Sequence, residues 1–100
     1  MEIQNDKTNH KFVAQVEGGE AHILYRRGTN NELELYSTLV PAQARGKNIA
    51  DLMVREALNF AKEEKVLIID TCPYVKVWFK KHPEESGILA NPPEKHMHLL

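Results

Sequence analysis

The stretch LELYSTLVPAQARGKNIADLMVREALNFAKEE, residues 33–64, contains the two patterns that decide the fold. In its first part, residues 33–40, leucine fills positions 33, 35 and 39 of the alternate positions, with Ser37 between them. This alternation has the period of a β-strand, and Pro41 ends the run. In residues 44–64 the apolar side chains recur every three or four positions, which predicts an amphipathic helix. Those side chains are Ile49, Leu52, Met53, Ala57, Phe60 and Ala61. We expect this strand, loop and helix to form the functional centre of the protein.

Turn signals divide the flanking sequence into further elements. Before this stretch, residues 11–16 and 20–27 favour strands, separated by Gly18-Gly19, and residues 28–31 suggest a hairpin loop. After it, the apolar run 66–69 is too short for a helix and suggests a strand buried on both faces. A second helix begins at Pro73, a residue that suits the first position of a helix. The tail from Pro83, in particular residues 84–100, is expected to be a loop or partly disordered.

The resulting order, β-β-β-α-β-α, predicts an α/β fold of the mixed type. Three antiparallel strands followed by a crossover helix and a further strand give a mixed, mainly antiparallel sheet with helices packed on it. A chain of 100 residues has the size of a single domain, so we expect one domain over residues 1–100.

Composition limits the possible partners and compartment. The chain is 42% hydrophobic and 27% charged with a formal net charge of −1, so it lacks the positive field of a typical nucleic-acid binder. One cysteine allows no internal disulfide, which fits a reducing compartment. The first residues do not resemble a signal peptide, and no apolar run approaches the roughly 20 residues needed to cross a bilayer. We therefore expect a cytoplasmic protein with neither a nucleic-acid nor a membrane partner.

The loop before the long helix has the composition of an anion site. A helix N-terminus leaves about four backbone N–H groups unpaired and favours negative charge. Gly46 removes a side chain there, Asn48 tolerates positive φ, and Arg45 and Lys47 add positive charge. These residues suggest a phosphate cradle. The alternative is an ordinary helix start with surface cations.

Cys72 is the candidate for covalent chemistry. It lies between a strand end and a helix start, where the helix dipole would stabilise a negative sulfur that could accept an acyl group. The alternative is a small buried side chain in the core. Tyr74 and Trp78, four residues apart on the second helix, are expected in the core or in a cleft wall, and Tyr36 on a strand face.

The histidines are more ambiguous. His22 lies in a strand and could face a cleft shared with Cys72 and the loop before the long helix, although a histidine in a strand is more often structural or exposed. His82 ends the second helix, where a cation is favourable. His96 and His98 could bind a metal only weakly, because no cysteine or carboxylate clusters with them, and we predict no metal site.

Three blocks of sequence resemble the GNAT superfamily of acetyl-CoA-dependent N-acetyltransferases, in particular its minimal members of about one hundred residues. The superfamily's pyrophosphate loop has Gln or Arg, two residues, Gly, one residue, then Gly or Ala. Arg45, Asn48 and Ala50 occupy those positions, and Asn48 departs from the expected glycine. The minimal subfamily also carries Leu-x-His-Thr-x-Val-Pro before the loop, which residues 35–41 match except that Ser37 replaces the histidine. A strand end with Cys-x-aromatic-aliphatic and a later aromatic is matched by Cys72, Tyr74, Val75 and Phe79.

The resemblance implies an acetyltransferase with coenzyme A as its cofactor. It implies that acetyl-CoA binds the loop and the end of the preceding strand, through Leu39, Val40, Arg45, Gly46, Lys47, Asn48, Ile49 and Ala50. It also implies that strands 33–40 and 66–69 splay apart and admit the thioester. The acceptor would be an amine of a small molecule or of a protein. Ser37 stands where the natural general base would be, and serine needs help to act as a base at neutral pH.

Two alternatives to an enzyme remain open. One is a non-catalytic coenzyme A binding module of the same fold, which the missing histidine favours. The other is a helix-on-sheet domain without a cofactor. The sequence does not identify the acceptor.

Overall fold

A computed structural model of the protein describes residues 1–91. Five strands form one sheet, and two α-helices and two 3-10 helices accompany it. The strands are β1 Gln4–Asp6, β2 Lys11–Val16, β3 Gly19–Arg27, β4 Leu33–Leu39 and β5 Ile68–Ile69. The helices are α1 Ile49–Glu64 and α2 Pro73–Lys81, with 3-10 helices at Ala42–Ala44 and Pro83–Ile88.

The sheet is mixed, as the sequence predicted. Its strands lie in chain order, and each neighbouring pair is antiparallel except β4 and β5, which are parallel and joined by α1. The predicted α/β class is therefore confirmed. The strand β1 was not predicted, because its three residues are polar and too few to show alternation.

The core lies on one face of the sheet. Phe12 and Ile23 from the sheet share a single buried cluster with Met53 of α1 and with Val75 and Trp78 of α2. Both helices therefore pack on the same side. Side chains on the opposite face of β2 and β3 stay half-buried, so that the described part of the chain leaves this second face uncovered.

A β-bulge in β4 changes which residues face the core. Leu24 pairs with Ser37 and Tyr25 pairs with Leu35, so that Tyr36 is an extra residue in β4. Directly paired residues share a face, and Thr38 pairs with the buried Ile23. Leu35 and Thr38 therefore both face the helices although they are three residues apart, whereas Ser37 faces the uncovered side.

Two predicted boundaries were wrong. Helix α1 begins at Ile49 instead of residue 44, because Gly46 (φ 82°) and Asn48 (φ 62°) adopt left-handed conformations that interrupt the helix. The strand predicted over residues 66–69 is reduced to Ile68–Ile69. Of these residues, Ile68 is fully buried whereas Leu67 is 46% exposed, so the predicted burial on both faces applies to Ile68 alone.

The segment after Pro83 is more ordered than expected as far as residue 91. The 3-10 helix leads to Leu89, which is buried and forms a β-bridge with Ile68. The next residue, Ala90, donates a hydrogen bond of 2.8 Å from its N to Ile68 O. A single apolar residue thus anchors the segment to the sheet edge, a tertiary effect that periodicity does not reveal. Residues 92–100, which include His96 and His98, lie outside the described residues.

Candidate functional site

Strands β4 and β5 diverge soon after they begin. Their pairing covers Leu33 with Ile68 and Glu34 with Ile69, and Cys72 N then donates to Leu35 O at 2.9 Å. In the described residues no pairing between β4 and β5 continues past this point, so the later part of β4 has an open edge on that side. An open strand edge presents backbone N–H and C=O groups that an extended ligand can pair with.

A cleft of about 430 Å³ lies beside this open edge. It is formed by the end of β4, the loop before α1, the first turn of α1 and the first turn of α2. Its lining residues are Thr38, Leu39, Val40, Ala44, Arg45, Gly46, Asn48, Ile49, Ala50, Asp51 and Tyr74. The cleft thus brings together every residue predicted to contact the cofactor except Lys47.

The loop backbone leads directly into the first turn of α1, and both line the cleft. Asn48 caps α1 in the left-handed conformation (φ 62°, ψ 21°), which confirms its predicted positive φ, and its side chain makes no capping hydrogen bond. The first helical hydrogen bond runs from Leu52 N to Asn48 O at 3.1 Å. The N–H groups of Ile49, Ala50 and Asp51 precede that bond, so no carbonyl within the helix pairs with them.

The two cations of the loop point in different directions. Arg45 lines the cleft, and its Nε donates to Val40 O at 3.1 Å, which ties the loop to the end of β4. Lys47 is exposed and approaches Glu17, with 3.4 Å between Nζ and Oε2. Positive charge in the cleft therefore comes from Arg45 and from the helix N-terminus.

Asp51 places a carboxylate at the same helix start, but its charge is compensated. It accepts a hydrogen bond of 2.7 Å from Trp78 Nε1 and one of 3.1 Å from Arg55 Nε. Burial raises the pKa of Asp51, but the hydrogen bonds from Trp78 and Arg55 outweigh it and hold this pKa below its ordinary value. Asp51 therefore stays ionised and links α1 to α2, so it is poorly suited to accept a proton.

Cys72 lies next to the apex of the diverging strands. Its Sγ is 3.3 Å from Thr38 Oγ1, a hydrogen-bond contact, and the residue is only 4% exposed. The sequence alone did not indicate the contact with Thr38, because it depends on the bulge. Cys72 is buried and does not line the cleft, as the core alternative predicted.

Tyr74 is the aromatic residue that lines the cleft. It is 39% exposed in the first turn of α2, whereas Trp78 is buried between the helices. Burial, and secondarily the charge of Asp51, raise the pKa of Tyr74. The phenol therefore remains protonated at neutral pH and can donate a hydrogen bond.

Ser37 and His22 lie on the uncovered face of the sheet. His22 pairs with Leu39 and Leu24 pairs with Ser37, which makes His22 and Ser37 diagonal neighbours across β3 and β4. His22 Nδ1 is 2.9 Å from Glu20 Oε2, and Lys11 Nζ is 2.9 Å from the same oxygen. Hydrogen bonds from Lys11 and His22 lower the pKa of Glu20.

His82, at the C-terminal end of α2, has a structural role. His82 Nδ1 donates to Trp78 O at 2.8 Å, and its ring stacks on the indole with the centroids 4.0 Å apart. Within residues 1–91, no group of three His, Cys, Asp or Glu side chains is placed to hold a metal ion. No helix in that range is long and apolar enough to cross a membrane.

The chain matches a family model over most of its length. The model of the GCN5-related N-acetyl-transferase matches residues 11–88, which include every strand but β1 and both α-helices. The chain therefore belongs to the GCN5-related N-acetyltransferase family, as the sequence blocks suggested.

Several curated relatives share one name. Protein NATD1 of Danio rerio and of Gallus gallus are each 28% identical to this chain over 85 residues, which cover 83% of this chain and 77% of the relative. Protein NATD1 of Homo sapiens is also 28% identical over 85 residues and is covered to 75%.

Proposed function

We propose that this protein binds acetyl-CoA in the cleft between β4 and α1 and transfers the acetyl group to an amine. The observation that carries the proposal is the start of α1 directly after the left-handed Asn48, where the first residues of the helix, whose N–H groups have no partner within the helix, line the cleft beside the open edge of β4. Such N–H groups bind phosphate oxygens, and family membership makes a coenzyme A pyrophosphate the natural ligand.

The rest of the ligand would follow β4. The pantetheine arm carries amide groups that can pair with the backbone of Leu39 and Val40, as an added strand does. This direction takes the thioester to the place where β4 and β5 separate, near Thr38 and Tyr74. Arg45 would add a charged contact to the phosphate end. We leave Lys47 out of the proposed site because its ammonium group approaches Glu17.

The transfer would proceed directly from the thioester to the amine. The neutral amine attacks the carbonyl carbon, the C–N bond forms, and the C–S bond breaks with its electron pair on sulfur. The protonated phenol of Tyr74, a residue of the cleft lining, would give a proton to the departing thiolate. Cys72 takes no covalent part in this scheme, because its sulfur is buried and in contact with Thr38.

A non-catalytic coenzyme A binding module is the second candidate. Asp51 is the one carboxylate that lines the cleft in the described chain, and two hydrogen bonds already hold it in its ionised form. The family histidine is replaced by Ser37, so the cleft itself contains no evident general base. Binding without turnover would favour this candidate.

Calorimetry and a transfer assay on the same samples separate these candidates. Acetyl-CoA is titrated into wild type, Arg45→Gln and Lys47→Gln, and folding is verified by circular dichroism. Thiol release is then followed with a peptide bearing a free N-terminus, with Nα-acetyl-lysine methyl ester and with spermidine, and mass spectrometry identifies the acetylated product.

We expect wild type and Lys47→Gln to bind equally. A hydrogen bond to a charged group is worth about 1.5–3 kcal/mol, so Arg45→Gln should bind about tenfold or more weakly. Binding together with an acetylated amine supports the enzyme, and binding without any product supports the binding module. A folded wild type that takes up no acetyl-CoA would refute both.

A further inference from the structure

A histidine on the neighbouring strand lies beside the position from which the family histidine is missing. His22 and Ser37 are diagonal neighbours on one face of the sheet, a relation that brings side chains within about 7–8 Å of each other. Serine is much smaller than histidine, so the side chain at position 37 fills less of the space beside His22 than a histidine would. The side chain of His22 is 20% exposed, so it is partly accessible to solvent.

Glu20 fixes the state of the His22 ring. A carboxylate can only accept a hydrogen bond, so the contact of 2.9 Å places the hydrogen of neutral His22 on Nδ1. The opposite nitrogen, Nε2, then carries a free lone pair and has no hydrogen-bond partner within residues 1–91. A carboxylate that orients an imidazole in this way is the arrangement by which histidine serves as a general base.

Other basic groups on this face are already occupied. Glu34 accepts hydrogen bonds from Arg26 Nε at 2.9 Å and from Thr71 Oγ1, and these bonds lower its pKa. Glu20 is held by Lys11 as well as by His22. His22 Nε2 is therefore the basic atom left available beside Ser37.

We infer that His22 is the general base of this acetyltransferase and replaces, from strand β3, the histidine that β4 lacks at Ser37. The inference rests on the proposed function. The acceptor arrives at the uncovered face as an ammonium ion and gives one proton to His22 Nε2, directly or through one water held by Ser37. The resulting amine attacks the thioester from this side of the diverging strands. Its second proton passes to solvent as the C–S bond breaks, while the phenol of Tyr74 protonates the coenzyme A thiolate and is reprotonated from solvent. His22 then returns the first proton to solvent, so the net reaction releases one proton.

The central test compares His22→Gln with the wild type in the transfer assay, using the best of the three amines named above. Loss of a positioned general base lowers turnover by about 10²- to 10⁴-fold, so we expect a fall of that size in kcat. The Kd for acetyl-CoA, measured by calorimetry, should not change, because His22 is not among the residues that line the cleft. His10→Asn is the matched control, since His10 is an exposed residue of the β1–β2 turn, and it should retain wild-type kcat.

Rescue separates a chemical role from a structural one. Moving the imidazole to the family position with Ser37→His in the His22→Gln background should recover at least about a tenth of the lost activity, whereas Ser37→Gln in the same background should recover none. Should His22→Gln fail to fold, Glu20→Gln provides a second measurement. It keeps an acceptor for Nδ1 but removes the charge, and it should lower kcat with an unchanged Kd for acetyl-CoA.

Three results would overturn the inference. An active wild type with an equally active His22→Gln would refute the role of His22 alone and leave the acetyltransferase intact. A folded His22→Gln that has lost activity but is not rescued by Ser37→His would assign His22 a structural role. A wild type that acetylates none of the three amines would refute the proposed function, and the role of His22 with it.

Discussion

The backbone conformation of Asn48 leads to a sharp prediction about cofactor affinity. Asn48 has φ 62° and ψ 21°, and its side chain makes no capping hydrogen bond, so the backbone alone determines which residues suit this position. Glycine adopts this conformation freely, asparagine tolerates it, and a β-branched residue is strongly disfavoured there. We therefore compare Asn48→Gly and Asn48→Val with the wild type.

The expected effect follows from the energy of the left-handed region. That region costs an ordinary L-residue roughly 1–2 kcal/mol, and a β-branched side chain belongs at the upper end. If the backbone of the Asn48→Val variant relaxes to negative φ in the free protein, this energy must be supplied on binding, which weakens acetyl-CoA affinity by about 5- to 30-fold. Asn48→Gly removes no capping bond and should bind as tightly as the wild type or slightly more tightly.

Lys65 at the other end of α1 provides a matched control. It is also left-handed, with φ 58° and ψ 44°, but it caps the C-terminus of the helix far from the cleft. Lys65→Val should therefore lower the free energy of unfolding about as much as Asn48→Val while leaving the Kd for acetyl-CoA unchanged. Calorimetry gives the Kd and urea denaturation gives the stability. Equal affinities for wild type, Asn48→Gly and Asn48→Val would refute the reasoning, as would an affinity loss in Lys65→Val.

Three further predictions concern stability and reactivity. The pKa of Asp51 is lowered in the folded state, so its ionised form and the hydrogen bonds from Trp78 and Arg55 stabilise the fold. This stabilisation is complete above the ordinary pKa of 3.8 and disappears as the pH falls below it. Asp51→Asn should therefore reduce the free energy of unfolding by about 1–2 kcal/mol at pH 7, with the difference shrinking below about pH 4 in urea titrations; a difference independent of pH would contradict this. Because Cys72 is buried, it should react with iodoacetamide much more slowly than free cysteine, and more slowly still when coenzyme A is bound. It should also carry no acetyl group after incubation with acetyl-CoA. An acetylated Cys72 that passes its acetyl group to an amine would contradict this prediction. Leu89→Ala should lower the free energy of unfolding, measured by urea denaturation, by about 2–5 kcal/mol, because Leu89 is buried against β5. An unchanged stability would mean that Leu89 does not anchor the segment after Pro83.

Local patterns predicted most of the fold because they reflect local geometry. The strands from residue 11 to residue 39 and the body of α1 have clear periods of two and of three to four residues. The start of α1 was misplaced because Ala42–Ala44 has helix-forming composition, whereas the interruption comes from the backbone of Gly46 and Asn48. The short strand β5 and the anchoring of Leu89 depend on contacts between distant parts of the chain, which no local pattern records.

The candidate site was predictable where it is continuous in sequence. Residues 45–48 could be named from the composition of the loop, and residues 49 and 50 from the resemblance to the family, and all but Lys47 line the cleft. The position of Tyr74 in the cleft could not be predicted from the sequence, because it depends on how α2 lies against α1. The relation between His22 and Ser37 needs the register of β3 and β4, which is shifted by the bulge and is therefore invisible to simple alternation.

The extra residue in β4 also shifts the alternation of side chains along the strand by one position. Tyr36 has no partner of its own in β3. An in-frame deletion of Tyr36 would restore strict alternation. The following side chains would then keep their sides, with Ser37 still paired with Leu24 and Thr38 still paired with the buried Ile23. A relative that lacks a residue at this codon would accordingly present the later half of the strand in the same orientation, without a bulge.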